Sequence, residues 1–420
     1  MRRRRRRCDV AFSVVGAAFV VRGAFVAGAA FVAGAAALLG AARHADAAPA
    51  AELVAALDAA GGADVVAFEL PAPPRTPHVR AATVTGASMA AVLAVLADPG
   101  HYRALLPSLV RSEEIGRRDD ARVVAWELEI PLFNLSGTLE LRPRAGGFEL
   151  ALIEGDFSPG RLVFDVAPRA DGRTTVALDA RLDVARSSFF LRRIMARSDW
   201  GEPAALCAAA WVALRATTSR AEHPHDAAAF RPNAPPAAPP PGQPDGATLS
   251  RPAFAPLAAR GAAALVNLSS SGRLASVAVS VASREAPAAL AARLAAPRSW
   301  RAFPGWRHVQ PMPVAGTSAA TVIVEDGIPF VDFDATWRAT TPLGSPWWVA
   351  VEGAARGAWF GWQVFPGAGT TQAVLTMDPR LEATGSIPRR FIEAEPLLEQ
   401  GLSLALAFVD AVSATRGGAK

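Results

Sequence analysis

The chain has 420 residues, 51% of them hydrophobic and 19% charged, so it is long enough to form two domains that each bury a core. Its formal net charge of +5 comes from the first 47 residues, which carry a net +6 and leave the rest of the chain at −1. Lys420 is the only lysine, and the arginines beyond residue 47 are scattered among acidic residues. We therefore predict no nucleic-acid partner, because such a partner requires a clustered basic surface.

Residues 1–47 have the features of a secretory signal. Six arginines at positions 2–7 precede an apolar stretch that is broken once, at Arg22, and the small residues Ala45 and Ala47 fit a cleavage site. The alternative is an uncleaved anchor, because residues 23–42 carry no charge and are numerous enough to span a bilayer. We therefore predict a periplasmic or secreted protein, and the alternative places it at the membrane.

The first half of the remaining sequence predicts both helices and strands. A short helix over 52–60 precedes strands over 65–70 and 78–85, Ser88 caps a helix that continues to Ala97, and another short helix covers 101–106. Alternating apolar and polar residues then predict an antiparallel meander over 123–130, 135–141, 148–153, 161–166 and 174–184. A long helical stretch over 188–217, interrupted at Glu202 and Pro203, closes this unit.

A proline-rich segment separates this unit from a second one with the same order of elements. Residues 227–250 contain seven prolines and few residues to bury, which is typical of a semi-rigid linker. Strands around 263–267 and 274–282 follow, then helix, short helix, meander and final helix. We therefore divide the chain into a leader (1–47), a first domain (48–226), a linker (227–250) and a second domain (251–420).

The two domains are copies of one unit. Residues 90–168 match residues 288–366 at a constant offset of 198 positions without a gap. The matched pairs include Pro99 with Pro297, Tyr102 with Trp300, Glu127 with Glu325, and Glu154 with Glu352. A solenoid repeat is about 20–50 residues long, so a repeat of this length indicates a duplicated domain. We call the two domains the first copy and the second copy.

One strand in each copy predicts which face of the sheet is buried. In the first copy its apolar residues alternate with polar ones, and the apolar set is Phe133, Leu135, Leu139 and Leu141. The second copy repeats this phase with Val331, Phe333, Ala335 and Trp337. The pattern predicts an α+β fold in which a one-sided antiparallel sheet packs its apolar face against a long C-terminal helix.

Several segments resemble the START-like (SRPBCC) superfamily, and within it the polyketide cyclase/dehydrase and coenzyme Q-binding branch. They are VLADPGHYRALLPSLVRSEEI (95–115), WELEIPLF (126–133), IEGDF (153–157) and a helix that opens with Leu191, Arg192 and Arg193. The resemblance covers residues 84–216 and, more weakly, 277–412. It implies tandem helix-grip domains, each with a curved antiparallel sheet wrapped around a long C-terminal helix and a cavity between them for an apolar molecule. Because this superfamily includes carriers, receptors, cyclases and aromatases, the fold does not define an activity.

The sequence contains no strong catalytic or metal-binding motif. His223 and His225 supply too few ligands for a metal, and Cys207, the only cysteine beyond the leader, fits packing in an Ala-rich helix. We therefore predict no catalytic residue, metal or cofactor. Glu154 is the acid that a cyclase would use if it faced a cavity, but a glycine after an acid at a strand end also describes an ordinary bulge.

Seven of the ten tryptophans belong to the second copy, where they form either a ligand cage or a filled cavity. The predicted ligand-lining residues of both copies are Tyr102, Trp126, Phe133, Leu135, Leu139, Glu154, Trp300, Phe333, Trp337, Trp359 and Trp362. We expect an exported binding or carrier protein for a hydrophobic small molecule such as a lipid, quinone or polyketide-like compound. The alternatives are a cyclase or aromatase that uses a cavity carboxylate, and a structural or interaction module with filled cavities.

Overall fold

A computed structural model describes residues 51–69, 77–106, 108–130, 133–183, 187, 192, 198–225, 245–269, 272–303, 306–312, 321–328, 331–340, 347–353, 356–367, 369–380 and 396–416. The predicted leader and most of the proline-rich linker lie outside these ranges. Within them, no helix has both the length and the hydropathy needed to cross a bilayer.

The first copy opens with elements at their predicted positions. They are helix α1 (Ala51–Ala59), strands β1 (Asp64–Glu69) and β2 (His78–Thr85), helix α2 (Met89–Leu96) and the 3-10 helix η1 (Pro99–Ala104). Ser88 caps α2 as predicted, because its hydroxyl oxygen accepts a hydrogen bond from the backbone N–H of Ala91 at 3.2 Å.

Six strands and a long helix complete the first copy. The strands are β3 (Leu109–Arg118), β4 (Ala121–Ile130), β5 (Phe133–Arg144), β6 (Gly147–Gly155), β7 (Gly160–Pro168) and β8 (Thr174–Leu182). Helix α3 (Gly201–Glu222) corresponds to the second part of the predicted helical stretch, most of whose first part lies outside the described residues, and Pro203 lies in the first turn of α3, where the missing N–H breaks no helical hydrogen bond. The sequence pattern does not predict β3, whose side chains are mostly charged and exposed, as is common at a sheet edge.

The second copy repeats this order. Its elements are helix α4 (Asp245–Leu249), the 3-10 helix η2 (Pro252–Phe254), helix α5 (Ala255–Arg260), β9 (Gly261–Leu268), β10 (Leu274–Ser283), helix α6 (Pro287–Ala295), the 3-10 helix η3 (Pro297–Ala302), β11 (Trp306–Met312), β12 (Thr321–Ile328), β13 (Val331–Thr340), β14 (Trp347–Gly353), β15 (Trp359–Pro366), β16 (Thr371–Asp378) and helix α7 (Pro396–Arg416). Residues 245–249 belong to the predicted linker but are helical, and Leu249 is buried. The linker is therefore shorter than predicted.

The described strands of both copies form one antiparallel sheet of sixteen strands. Their order is β11-β12-β13-β14-β15-β16-β10-β9-β1-β2-β8-β7-β6-β5-β4-β3. The copies meet where β1 pairs with β9, from Asp64 opposite Val266 to Glu69 opposite Gly261. The linker is therefore not the only connection between the copies.

The two faces of the sheet carry different helices. On the inner face, α3 packs on β1, β2 and β8, and α7 packs on β9, β10 and β16. On the outer face, α1, α4 and α5 cover the central strands. Strand alternation explains the division, since Val66 and Phe68 of β1 join the inner core whereas Val65 and Ala67 join the outer one. Each copy thus has the predicted helix-grip arrangement of an antiparallel sheet around a long C-terminal helix.

The two long helices also pack against each other, so the inner core is continuous across the copies. The ring of Phe68 in the first copy meets that of Phe408 in α7 edge-on, with centroids 5.6 Å apart. Contact with both the sheet and the other helix explains why α3 is buried over nearly its whole circumference.

Both copies contain the same β-bulge next to a glutamate that is followed by glycine, at residues 154–155 and 352–353. Between β5 and β6, Thr138 pairs with Glu154 and Leu139 with Leu152, which leaves Ile153 as the extra residue. Gly155 has φ +90° and its counterpart Gly353 has φ +81°, a conformation that glycine adopts without strain. The bulge that the sequence offered as the ordinary explanation of this motif is therefore present.

Candidate functional site

Leucine side chains of the central strands form part of the inner core of the first copy. Leu135 and Leu139 of β5 are buried in the inner core, as the strand phase predicts. Leu152 and Leu162 extend the same surface onto β6 and β7. The polar phase of β5 has one exception, since Glu140 on the outer face is buried between Arg118 at 3.0 Å and Arg142 at 2.6 Å.

Trp126 of β4 lies in this interior with an unsatisfied donor. The residue is 4% exposed, and its indole N–H (Nε1) has no hydrogen-bond partner. The ring covers Gly137 on the neighbouring strand, where a Cβ atom would lie 2.7 Å from Cζ2 of Trp126. Burying a hydrogen-bond donor without an acceptor is unfavourable. A bound molecule that accepts a hydrogen bond from this N–H would remove that cost.

Other polar groups of the same interior already have partners. The hydroxyl of Tyr102 donates to the backbone oxygen of Leu96 at 2.5 Å, and burial raises the pKa of this phenol. The hydroxyl of Ser112 donates to the backbone oxygen of Pro99 at 2.6 Å. Tyr102 therefore belongs to the predicted site by position, but its hydroxyl serves to hold η1 against α2.

Asp64 is a buried carboxylate on the inner face that the sequence analysis did not identify. Its oxygens accept hydrogen bonds from the hydroxyl of Thr83 at 2.5 Å and from Nε1 of Trp211 at 2.8 Å. The guanidinium of Arg215 lies 3.7 Å away. The available sequence signal was an acid at the start of an apolar strand whose counterpart in the second copy is Ala262. These contacts tie β1, β2 and α3 together.

The structure corrects the placement of Glu154. Its side chain is exposed at the end of β6, beside the bulge, and does not line the interior. The reason is that the bulge shifts the strand register by one residue, so alternation counted from Leu152 no longer applies. Phe133, the other predicted residue of this strand pair, has a side chain outside the described set.

Aromatic rings occupy the corresponding space in the second copy. We call the set the aromatic cluster, and it comprises Trp300, Phe303, Trp306, Trp348, Phe360 and Trp362. Trp300 lies at its centre, with ring centroids 5.6 Å from Trp306, 4.3 Å from Trp348 and 5.1 Å from Phe360. Most of these contacts are edge-to-face, the geometry that aromatic pairs prefer. The rings fill space with one another.

The counterparts of the aromatic cluster in the first copy are mostly smaller. At the offset of 198 they are Tyr102, Leu105, Ser108, Leu150, Leu162 and Phe164. Because the two copies share the same strands and register, replacing a leucine by a tryptophan or phenylalanine places more side-chain volume in the same region. Of the two sequence-based alternatives, a cage or a filled cavity, these ring contacts favour the filled cavity.

Trp359 is wrongly predicted to lie with Trp362. Side chains alternate between faces along a strand, and these two residues are three positions apart, so they point to opposite faces. Trp362 joins the inner aromatic cluster, whereas Trp359 packs on the outer face against Trp347 with ring centroids 5.5 Å apart. The side chains of Phe333 and Trp337 lie outside the described set.

A network of charges occupies the outer face of the first copy. Nδ1 of His78 lies 2.9 Å from Glu69 and Nε2 lies 2.7 Å from Asp179, and Arg80 also reaches Glu69 at 3.0 Å. Burial by itself raises the pKa of both carboxyls, but the hydrogen bond and charge of His78, with the nearby arginines, lower it more. The pKa values of Glu69 and Asp179 therefore lie below their usual range.

The structure also describes the three residues that the sequence analysis considered for thiol chemistry or metal binding. Cys207 is buried in α3, and burial raises the pKa of its thiol well above the usual value, which disfavours the reactive thiolate. His223 and His225 are exposed just beyond α3. Among the residues that the structure describes, no cluster of His, Cys, Asp and Glu side chains is suited to a metal ion.

Comparisons with known proteins find similarity only at the level of solved structures. No family model and no curated protein matches the chain. The di-domain ARO/CYC StfQ from the steffimycin biosynthetic pathway is 11% identical, with 79% of this chain and 97% of that chain covered and a TM-score of 0.27. The Zhui aromatase/cyclase from Streptomyces sp. R1128 is 15% identical (37% and 98% covered, TM-score 0.28). The STAR-related lipid transfer protein from Xanthomonas axonopodis is 17% identical (39% and 96% covered, TM-score 0.29). At these values we transfer neither ligand nor activity to this chain.

Proposed function

We propose that the first copy binds one apolar small molecule between its sheet and α3, and that the second copy supports it without binding a ligand at the equivalent place. The observation that carries this proposal is the unsatisfied N–H of Trp126, which is buried in the inner hydrophobic core. A ligand with an apolar body and one hydrogen-bond acceptor would satisfy this donor and bury its own surface, at about 25 cal/mol per Å² before the costs of association.

The donors and acceptors of the interior restrict the ligand further. An indole N–H can only donate, so the ligand group beside Trp126 is an acceptor such as a carbonyl oxygen. The carboxylate of Asp64 is occupied by Thr83, Trp211 and Arg215, so a ligand ammonium would find no free anion there. A neutral ketone, quinone or ester fits these groups better than a charged molecule does.

Binding is a better proposal than catalysis on these groups. A cyclase would need a carboxylate that is buried and free to exchange a proton with its substrate. Glu154 is exposed, and Asp64 is buried but holds three partners that fix it in place. The alternative of a structural module with a filled cavity fits the second copy better, because the rings of its aromatic cluster pack against one another.

The test compares two tryptophans that share the same feature in different copies. Nε1 is buried and without a hydrogen-bond partner in both Trp126 and Trp300. Titration of the full chain with a short-chain ubiquinone analogue, followed by calorimetry, should give a stoichiometry of one. Trp126→Phe should weaken binding about 3- to 10-fold, the equivalent of one net hydrogen bond of about 0.5–1.5 kcal/mol, while Trp300→Phe should leave it unchanged. Equal effects of the two variants, or two ligands per chain, would contradict the proposal.

Export is part of the same proposal, since residues 1–47 resemble a secretory signal. We expect the mature protein to start near Ala48 and to be recovered outside the cytoplasm. N-terminal sequencing of the natively expressed protein checks this expectation. An intact leader on a membrane-bound protein would support the anchor alternative instead.

A further inference from the structure

A second group of buried polar atoms without partners lies on the outer face of the second copy. It comprises the hydroxyls of Ser280 and Thr376, the side-chain oxygen Oε1 of Gln363 and the indole N–H of Trp359. Ser280 and Thr376 are each 0% exposed, and Trp359 is 6% exposed. We call these four residues the outer polar set.

The strand register brings the outer polar set together. Gln363 of β15 lies opposite Val374 of β16, which in turn lies opposite Ser280 of β10. Thr376 is two residues from Val374 along β16, so it is a diagonal neighbour of both Gln363 and Ser280 on the same face. Trp359 lies opposite Asp378, two residues further along β16, which makes it a diagonal neighbour of Thr376.

Neighbouring polar groups on this face are satisfied, so the outer polar set is a local feature. Arg380 donates from Nε to Asp378 at 2.7 Å, and Asn267 donates to the hydroxyl of Ser276 at 3.0 Å. Asp179 of β8 is the counterpart of Thr376 in the first copy. Asp179 lies opposite Arg80 of β2, just as Thr376 lies opposite Ala278 of β10. Asp179 is paired with His78. The second copy therefore retains polar groups here but lacks the partners that the first copy has.

Helix α4 covers this region. It packs on β9, β10 and β16, and Gly246 lies so close to Gln363 that a Cβ atom on residue 246 would collide with Oε1. The ring of Trp347 lies over Gly361, which is opposite Thr376 and between Trp359 and Gln363 along β15, so a Cβ atom on residue 361 would collide with the ring. The outer polar set is thus covered by a five-residue helix and by the ring of Trp347.

We propose that the outer polar set, beneath α4, is a binding site for a small neutral molecule with several hydroxyl groups, of the monosaccharide or polyol class. A polyhydroxylated ligand matches the four groups of the outer polar set. Two of them are hydroxyls that donate and accept, one is an amide oxygen that accepts, and one is an N–H that donates. The ion pair of Asp378 with Arg380 leaves no unbalanced charge, which disfavours a charged ligand. Tryptophan rings offer an apolar surface to the C–H groups of such a molecule.

Helix α4 lies on the outer polar set, and Gly246 contacts Oε1 of Gln363 directly. A ligand therefore requires α4 to move aside.

Calorimetric titration of the full chain with D-glucose and with glycerol tests the proposal. A fully O-methylated glucose, which keeps the ring but has no hydroxyl donors, is the control ligand. We expect at least one hydroxylated probe to bind and the methylated control not to bind. Absence of binding by both glucose and glycerol would overturn the proposal.

Two threonines of β16 provide matched variants. The hydroxyl of Thr376 has no partner, whereas that of Thr371 donates to the backbone oxygen of Glu285 at 2.6 Å. Thr376→Val should weaken binding of the hydroxylated probe at least 10-fold and raise the melting temperature of the ligand-free protein, because it removes an unsatisfied buried group. Thr371→Val should lower the melting temperature and leave the affinity unchanged. Unchanged affinity in Thr376→Val would overturn the proposal, whatever happens to its stability.

Discussion

The two copies share a backbone design but differ in what their side chains do at matched positions. On the inner face, leucines of the first copy correspond to aromatic rings in the second, as with Leu162 and Phe360. On the outer face, the ion pair of Arg161 with Glu149 at 2.7 Å corresponds to the packed rings of Trp359 and Trp347. The bulge with its left-handed glycine is present in both.

The features that shape the sheet are thus common to both copies, whereas the side chains that determine chemistry differ. A bulge glycine sets the twist of the strands and cannot be exchanged without strain. A buried leucine can become a larger ring if the neighbouring side chains adjust. Both interiors hold an unsatisfied indole N–H, at Trp126 and at Trp300, but the one in the second copy belongs to a cluster of packed rings. The outer face carries a charge network in the first copy and buried polar groups without partners in the second. The two copies therefore offer different chemistry on one continuous sheet.

The largest expected effect comes from creating a cavity in the aromatic cluster of the second copy. Trp300→Ala removes the ring at the centre of the aromatic cluster and should lower the free energy of unfolding by about 3–5 kcal/mol. The resulting apolar cavity should bind indole, which the wild-type second copy does not accommodate at this place. Denaturant unfolding and the rise in melting temperature with indole measure both effects. A loss below about 1 kcal/mol would mean that the cluster is not closely packed and would remove the main contrast between the copies.

The next prediction concerns the shared sheet. Proteolysis in the linker should cut the chain between residues 226 and 244, yet the two fragments should stay together in gel filtration, because β1 remains paired with β9 and α3 remains packed on α7. Their thermal unfolding should be a single transition whose midpoint depends on concentration. Fragments that separate and unfold independently would show that the copies are autonomous domains.

The sequence predicted the order of elements, the buried phase of β5 and the bulge well, because each depends on a local pattern of alternation, capping or glycine placement. It did not predict β3, since an exposed edge strand carries charges in place of an alternating apolar set. No local pattern predicts the pairing of β1 with β9. Both strands carry mostly apolar residues on both faces, and this would be equally true if the two strands did not pair. Trp359 was misplaced because the prediction grouped residues by strand without applying the two-residue period.

The candidate site was predictable to a similar degree. Leu135 and Leu139 followed from alternation along β5, and they lie in the inner core together with Trp126, which the sequence analysis named without that argument. The role of Asp64 depends on Thr83 and on Trp211, which is 147 residues away, and no short pattern encodes such a contact. Glu154 was misplaced because a bulge changes the face of every residue counted through it.

A smaller expected effect is the pH dependence of stability that comes from the charge network on the outer face of the first copy. The folded-state pKa values of Glu69 and Asp179 lie below the usual values, so their pairing with His78 stabilises the fold above the unfolded-state pKa and this contribution is lost as the pH falls through the folded-state pKa. The melting temperature should therefore decline as the pH is lowered from about 5 to about 3. His78→Asn should make this decline shallower, because it removes the main group that lowers both pKa values. The corresponding uncharged residue of the second copy, Ser276, gives a control in Ser276→Ala, which should leave the slope unchanged. An identical slope in His78→Asn and the wild type would remove the charge network from the comparison.

The smallest effect is expected at Glu154, the residue whose predicted role in a cavity the structure corrects. The side chain is exposed beside the bulge, so Glu154→Gln should change the free energy of unfolding by less than about 0.5 kcal/mol. It should also leave ubiquinone-analogue binding unchanged, because the carboxylate does not face the interior that Trp126 lines. The counterpart Glu352→Gln in the second copy should behave in the same way, since the bulge is common to both copies. A loss of affinity in Glu154→Gln alone would mean that this carboxylate reaches the ligand during binding, and the cyclase alternative for the first copy would then regain its missing acid.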